Sequence, residues 1–187
     1  MDIATELRAL HHIRRSGMVG LDPPAKAFRV MRAIRRLGQI GGAVAVAAIK
    51  HGDRIGLIDE TEALTFAELD RRSDALAVAL RARGTKEGAG IGILCRNHRY
   101  FLDATFAAGK LGARTLYLNT DFGGPQLRDV CEREGVSVLV HDEEFEQLAA
   151  PVKATRFTED AMQELIDSNH GAVPPVPRES ATMVLLT

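Results

Sequence analysis

The sequence predicts an α/β fold, an open and mostly parallel sheet flanked by helices, with a helical leader in front. Three observations predict it. First, Ile91-Gly92-Ile93-Leu94-Cys95, Thr115-Leu116-Tyr117-Leu118 and Val136-Ser137-Val138-Leu139-Val140 are apolar runs of buried-strand length. Second, a single helical stretch separates each run from the next, which implies right-handed βαβ crossovers and helices on both faces of the sheet. Third, a proline-rich linker, Val173-Pro174-Pro175-Val176-Pro177, leads into one more apolar run, Ala181 to Thr187.

The elements follow in order. Residues 1–50 form a basic helical leader, broken into two pieces by Pro23-Pro24. Ile55 to Asp59 and Ala63 to Thr65 make a short hairpin around Glu60-Thr61-Glu62. Thr65-Phe66-Ala67-Glu68 is a capping box: the Thr65 hydroxyl takes the Glu68 amide, the Glu68 carboxylate reaches back to the Thr65 amide, and Leu64 staples against Leu69. The helix it starts carries Leu69, Leu76 and Leu80 on its inner face and Arg71, Arg72 and Asp74 outside, and Gly84 ends it. After Ile91–Cys95, Asn97 is placed to cap a helix bearing Tyr100, Phe101, Phe106 and Leu111. Pro125 stands at the first position of the next helix, where a missing amide hydrogen costs little, and that helix runs to Gly135. Three regions result: the leader 1–50, an α/β subdomain over 51–167, and a linker with a last strand over 168–187.

Composition narrows the function classes. The chain is 45% hydrophobic and 26% charged with a net charge of −1. Residues 1–50 hold nine Lys/Arg against three Asp/Glu (+6), leaving fifteen against twenty-two (−7) in the remainder. The even total makes no case for nucleic acid as a partner, whereas the basic front suits an anionic surface. Cys95 and Cys131 are too few and too far apart for a disulfide framework or a metal knuckle, which suits reduced thiols in the cytoplasm. The acidic start lacks a signal peptide's apolar stretch, and the longest apolar run, Ile40 to Ile49, falls short of the ~20 residues that span a bilayer. The expected location is cytoplasmic, with peripheral contact at the inner face of the membrane as an open option. The chain stops inside an apolar strand, so it is expected to be the front part of a longer protein, with that strand also able to pair two copies as a homodimer.

Few motifs carry chemistry. Gly88-Ala89-Gly90-Ile91-Gly92 looks like a phosphate loop, but its glycines precede and enter a strand rather than opening a helix; a turn and a tight packing site are expected instead. None of the six histidines has a His or Cys partner at metal-ligand spacing, and His141-Asp142-Glu143-Glu144 is better explained as a polar strand end running into a short helix. No nucleophile–base arrangement is apparent, so no catalytic or metal residue is assigned. From Lys26 to Ile40, Phe28, Met31, Ile34 and Leu37 share one face while Arg29, Arg32, Arg35 and Arg36 crowd the other. That pattern fits first a helix packed on its own protein with solvated arginines, the commoner use of such a stripe, and second a helix lying on an anionic membrane.

Leu64-Thr65-Phe66-Ala67-Glu68-Leu69-Asp70-Arg71-Arg72-Ser73-Asp74-Ala75-Leu76-Ala77 resembles the T-[YF]-x-E-L-x-x-x-[SA]-[DN]-x-[LV]-A stretch of adenylate-forming enzymes, the family of acyl-CoA synthetases, luciferases and nonribosomal adenylation domains. Ile93 to Phe101 resembles their strand-then-helix segment with a central asparagine. Gly109-Lys110-Leu111-Gly112-Ala113 with Leu118-Asn119-Thr120 resembles their K-x-G-A … L-N passage. Arg96-Asn97-His98, Gly124-Pro125-Gln126-Leu127 and Asp142-Glu143-Glu144-Phe145 are similar to bacterial fatty-acyl-CoA ligases of actinobacterial type. Gly88-Ala89-Gly90 departs from the family's usual Gly-Asp-x. The resemblance implies the N-terminal subdomain of the AMP-binding fold and a parent enzyme that uses ATP, Mg2+ and coenzyme A to turn a fatty acid into an acyl-adenylate and then a thioester. It implies that Thr187 is the first residue of the ATP-phosphate loop, and that Asn97 and Arg99 line the acyl and coenzyme A channels. The chain alone is then expected to be inactive. A self-standing nucleotide- or ligand-binding module and a membrane-association module are the rival readings.

Overall fold

The computed structural model describes residues 23–178 and 180–185. The first of the two leader pieces and Thr187 lie outside them.

Helix α1 (Pro24–His51) is broken at Gly38, whose φ of 69° and ψ of −165° lie where only glycine is comfortable. The break folds the first half back on the second: the Lys26 ammonium donates to the Lys50 carbonyl at 3.0 Å. Strands β1 (Ile55–Ile58) and β2 (Ala63–Thr65) pair antiparallel as the expected hairpin. Helix α2 (Phe66–Ala82) opens with the expected capping box, with 3.2 Å from the Glu68 amide to Thr65 Oγ1 and 2.8 Å from the Thr65 amide to the Glu68 carboxylate. Gly84, at a φ of 92°, follows its last turn.

Strand β3 (Gly90–Leu94) is wholly buried, and Gly88-Ala89 form the turn before it. Then come α3 (Arg99–Leu111), β4 (Arg114–Tyr117), α4 (Gly124–Arg133), β5 (Val136–His141), a 3-10 turn (Glu143–Phe145), α5 (Glu146–Ala149), β6 (Thr155–Phe157), α6 (Glu159–Ser168) and β7 (Thr182–Leu185). Five strands form one parallel sheet in the order β6-β5-β3-β4-β7.

Each face of that sheet has its own core. On one side Leu76, Leu80, Ala104, Leu111, Met162 and Ile166 from α2, α3 and α6 cover Ile91, Ile93, Val138 and Val140. On the other, Leu127, Val130 and Cys131 of α4, with Phe145, Ala149 and Val152, cover Leu94, Leu116 and Leu139. Both thiols are buried and free; burial pushes Cys131 up to about 11, and burial with the Asp142 carboxylate beside it pushes Cys95 higher still.

Two readings change. Arg72 and Asp74 do not stand in solvent. Arg72 makes a two-pronged pair with Asp103 at 2.7 and 3.0 Å, and Asp74 takes one side of the buried Lys110 ammonium at 2.6 Å, with Asp70 at 2.7 Å on the other. The polar flank of α2 faces α3, which carries both partners, so these charges bridge two helices. The cap of α3 is His98, not Asn97, for a reason that emerges at the site.

Candidate functional site

In an open parallel sheet, ligands are usually taken at the carboxyl ends of neighbouring strands whose connections depart to opposite sides. Here β3 leads to β4 on one side, whereas β5 leads to β6 on the other, so the switch point lies between β3 and β5. A crevice of about 750 Å³ opens there. Arg96, Asn97, His98, Arg99 and Tyr100 follow β3, Asp142 and Glu144 follow β5, and Asp59 to Thr61 of the β1–β2 turn form the facing wall.

Asp142 organises the floor. Its backbone amide reaches the Leu94 carbonyl at 3.3 Å, and its Oδ2 accepts from the Arg96 amide at 2.6 Å. Its Oδ1 lies 2.9 Å from His98 Nε2. His98 Nδ1 accepts the Tyr100 amide at 3.2 Å, which makes His98 the cap of α3. That nitrogen therefore carries no proton in the neutral ring, so Nε2 does, and Nε2 donates to Asp142. With the floor held this way, His98 rather than Asn97 meets the free amides of α3, although asparagine is the commoner cap.

Arg99 lies on the opposite side, 4% exposed. Its guanidinium donates to both Asp59 oxygens at 2.5 and 2.8 Å and to Glu62 at 2.8 Å. The Arg99 guanidinium holds the Asp59 carboxyl well below the usual carboxylate range, ahead of three backbone amides that act the same way. Arg96 sits over the Phe145 ring at 5.1 Å and donates to Glu144 at 2.8 and 3.2 Å, which lowers the Glu144 carboxyl.

The two channel residues expected from the sequence are thus brought to one crevice in different states. Arg99 is committed to the hairpin. Asn97 is exposed at the mouth, and its amide has no partner among the described residues.

His98, Asp142 and Glu159 were not singled out by spacing, yet their donor atoms come within 4.8 Å of one another. The available signal was positional: residues just past two adjacent strand ends share a site even when 44 residues apart. His98, Asp142 and the Arg96 amide pair with one another, so hydrogen bonds within the floor account for the approach of His98 to Asp142. The charge of the crevice is mostly acidic. Asp59, Glu60, Asp142, Glu144 and Glu159 line it against Arg96 and Arg99, and both guanidiniums are already paired. In this crevice each described guanidinium already has a carboxylate partner, so the lining is net acidic.

Comparison with known proteins agrees with this framework. Residues 44–183 match the family model described as AMP-binding enzyme. A feruloyl-CoA synthase from Amycolatopsis sp is 37% identical over 110 residues, covering 59% of this chain and 21% of the relative. A medium/long-chain-fatty-acid–CoA/3-oxocholest-4-en-26-oate–CoA ligase from Mycobacterium marinum (strain ATCC BAA-535 / M) is 29% identical over 100 residues, covering 54% and 18%. The structure of a Mycobacterium tuberculosis fatty acyl CoA synthetase superposes with a TM-score of 0.72 at 19% identity, covering 79% of this chain and 32% of that one. This chain thus spans about a fifth of the length of the curated relatives it matches. By its family match and its fold, the chain belongs to the AMP-binding, adenylate-forming enzymes.

Proposed function

We propose that this chain is the N-terminal part of an ATP-dependent fatty-acyl-CoA ligase, which converts a carboxylate and ATP to an acyl-adenylate and pyrophosphate and then passes the acyl group to the coenzyme A thiol. The observation that carries the reading is the family match over residues 44–183, with aligned stretches that cover about a fifth of relatives named as CoA ligases. In this reading residues 1–50 are a leader, 51–167 a scaffold subdomain, and 168–187 a linker and strand that deliver Thr187 to a phosphate loop. ATP, Mg2+ and coenzyme A are bound by parts of the enzyme that follow.

The chain's own residues build one wall of the acyl and coenzyme A channels. Asn97 presents its unpaired amide to that wall. Arg99 fixes the hairpin that forms the facing side, so its contribution is positional. The acidic lining suits this division, since a clamp on transferring phosphates requires free cations. The location is cytoplasmic. Taken alone, the chain exposes Met183 and Leu185 on edge strand β7, which favours pairing of two copies through that edge.

ATP–pyrophosphate exchange dependent on added fatty acid tests the proposal, run on the longer gene product and on the 187-residue chain. Exchange by the longer protein alone is expected, and Asn97→Ala in it should raise the KM for fatty acid or coenzyme A about fivefold with kcat kept. Exchange by the short chain would overturn the division of labour, and no exchange by the longer protein with any fatty acid would overturn the substrate class.

A further inference from the structure

A helix packed on its own protein turns its apolar face inward. The first half of α1 does the reverse. Phe28, Met31 and Ile34 stand 65%, 57% and 48% exposed. Behind it, half-buried Ala33, Arg36 and Leu37 turn toward α2, and with the exposed Arg29 and Arg32 at the rim they line a groove with Asp70 and Asp74. Asp70 and Asp74 also hold the Lys110 ammonium, and of the arginines the half-buried Arg36 is the one whose charge acts on Asp74.

We infer that this outward stripe is a docking surface for an anionic lipid bilayer, on which the first half of α1 lies flat. Charge argues for this occupant. All of α1 contains Lys26, Arg29, Arg32, Arg35, Arg36 and Lys50 and no acidic residue. Arg32 and Arg35 are themselves exposed beside the stripe, placed to meet headgroup phosphates while Phe28, Met31 and Ile34 enter the acyl boundary. A second copy meeting the same stripe would bring two rows of like charge together, which costs rather than stabilises. The helix lies on the membrane and does not cross it, since no described helix is long and apolar enough to span one. Gly38 separates this half from the half packed on α2 and α3, so docking leaves the sheet and the crevice untouched.

Vesicle flotation of the 187-residue chain tests the inference, with vesicles of mixed phosphatidylcholine and phosphatidylglycerol and vesicles of phosphatidylcholine alone. Binding to the anionic vesicles is expected, weakened about tenfold or more on neutral vesicles or at high salt. A triple variant, Phe28→Ser with Met31→Ser and Ile34→Ser, should lose about tenfold or more in binding while keeping its circular dichroism and melting temperature. Equal flotation of the variant, or no flotation of the native chain, would sink the inference. So would a variant that changes oligomeric state without lipid, which assigns the stripe to a second copy. If removing residues 1–22 raises binding about tenfold, that segment is the occupant and the inference also fails.

Discussion

Arg99 and Asp59 sit 40 residues apart in sequence and make the closest charged contact of the crevice. Because the guanidinium depresses the Asp59 pKa, its contribution to stability is complete above the unfolded value, near pH 4, and fades as pH falls from there toward the depressed folded value. Asp59→Asn should therefore cost about 2 kcal/mol in urea unfolding near neutral pH, and the deficit should shrink steadily below about pH 4. A deficit that stays constant from about pH 7 to about pH 3 would show that the carboxylate charge is not what matters. At this scale the sequence was only partly readable. The capping box was plain because its partners are three residues apart and satisfy each other's backbone. Local propensity points to Asn97 as the helix cap, whereas Asp142, just past β5 and 44 residues from His98, holds the loop and puts His98 at the helix end.

Among the elements, the contact between α1 and α3 is the least forgiving. A Cβ added at Gly109 would meet the Gly41 amide nitrogen at 2.5 Å, and one added at Gly41 would meet the Lys110 nitrogen at 2.7 Å. Both obstructions are backbone, so neither can yield without moving a helix. Gly109→Ala is expected to destabilise the fold by about 1–3 kcal/mol, measured by thermal or urea unfolding. A neutral substitution would mean that the two helices do not touch. The strands, their order along the chain and the crossover helices could be read from apolar runs and glycine or proline punctuation, because those signals are local. The break at Gly38 could not. One glycine inside an apolar-periodic stretch is usually tolerated, and only packing of the folded-back halves distinguishes a break from a weak point. The apolar stripe of α1 was legible but its outward orientation was not: periodicity shows that a helix has two faces, not which one the protein covers.

For the molecule as a whole, strand order follows from the crossovers, and strand order places a crevice between β3 and β5. Family resemblance in the sequence already pointed to this framework, and the matched residues 44–183 span nearly all of it. The resemblance could not reveal that the crevice is acidic and that both of its guanidiniums are paired, since those pairings join segments distant along the chain. The central claim is that this chain is scaffold and channel wall, with phosphate binding supplied elsewhere in the enzyme. Calorimetric titration of ATP with Mg2+ into the 187-residue chain tests that claim most directly. No saturable binding is predicted up to about 1 mM nucleotide, whereas a micromolar dissociation constant, about −8 kcal/mol, would contradict the account and make the chain a nucleotide-binding module in its own right.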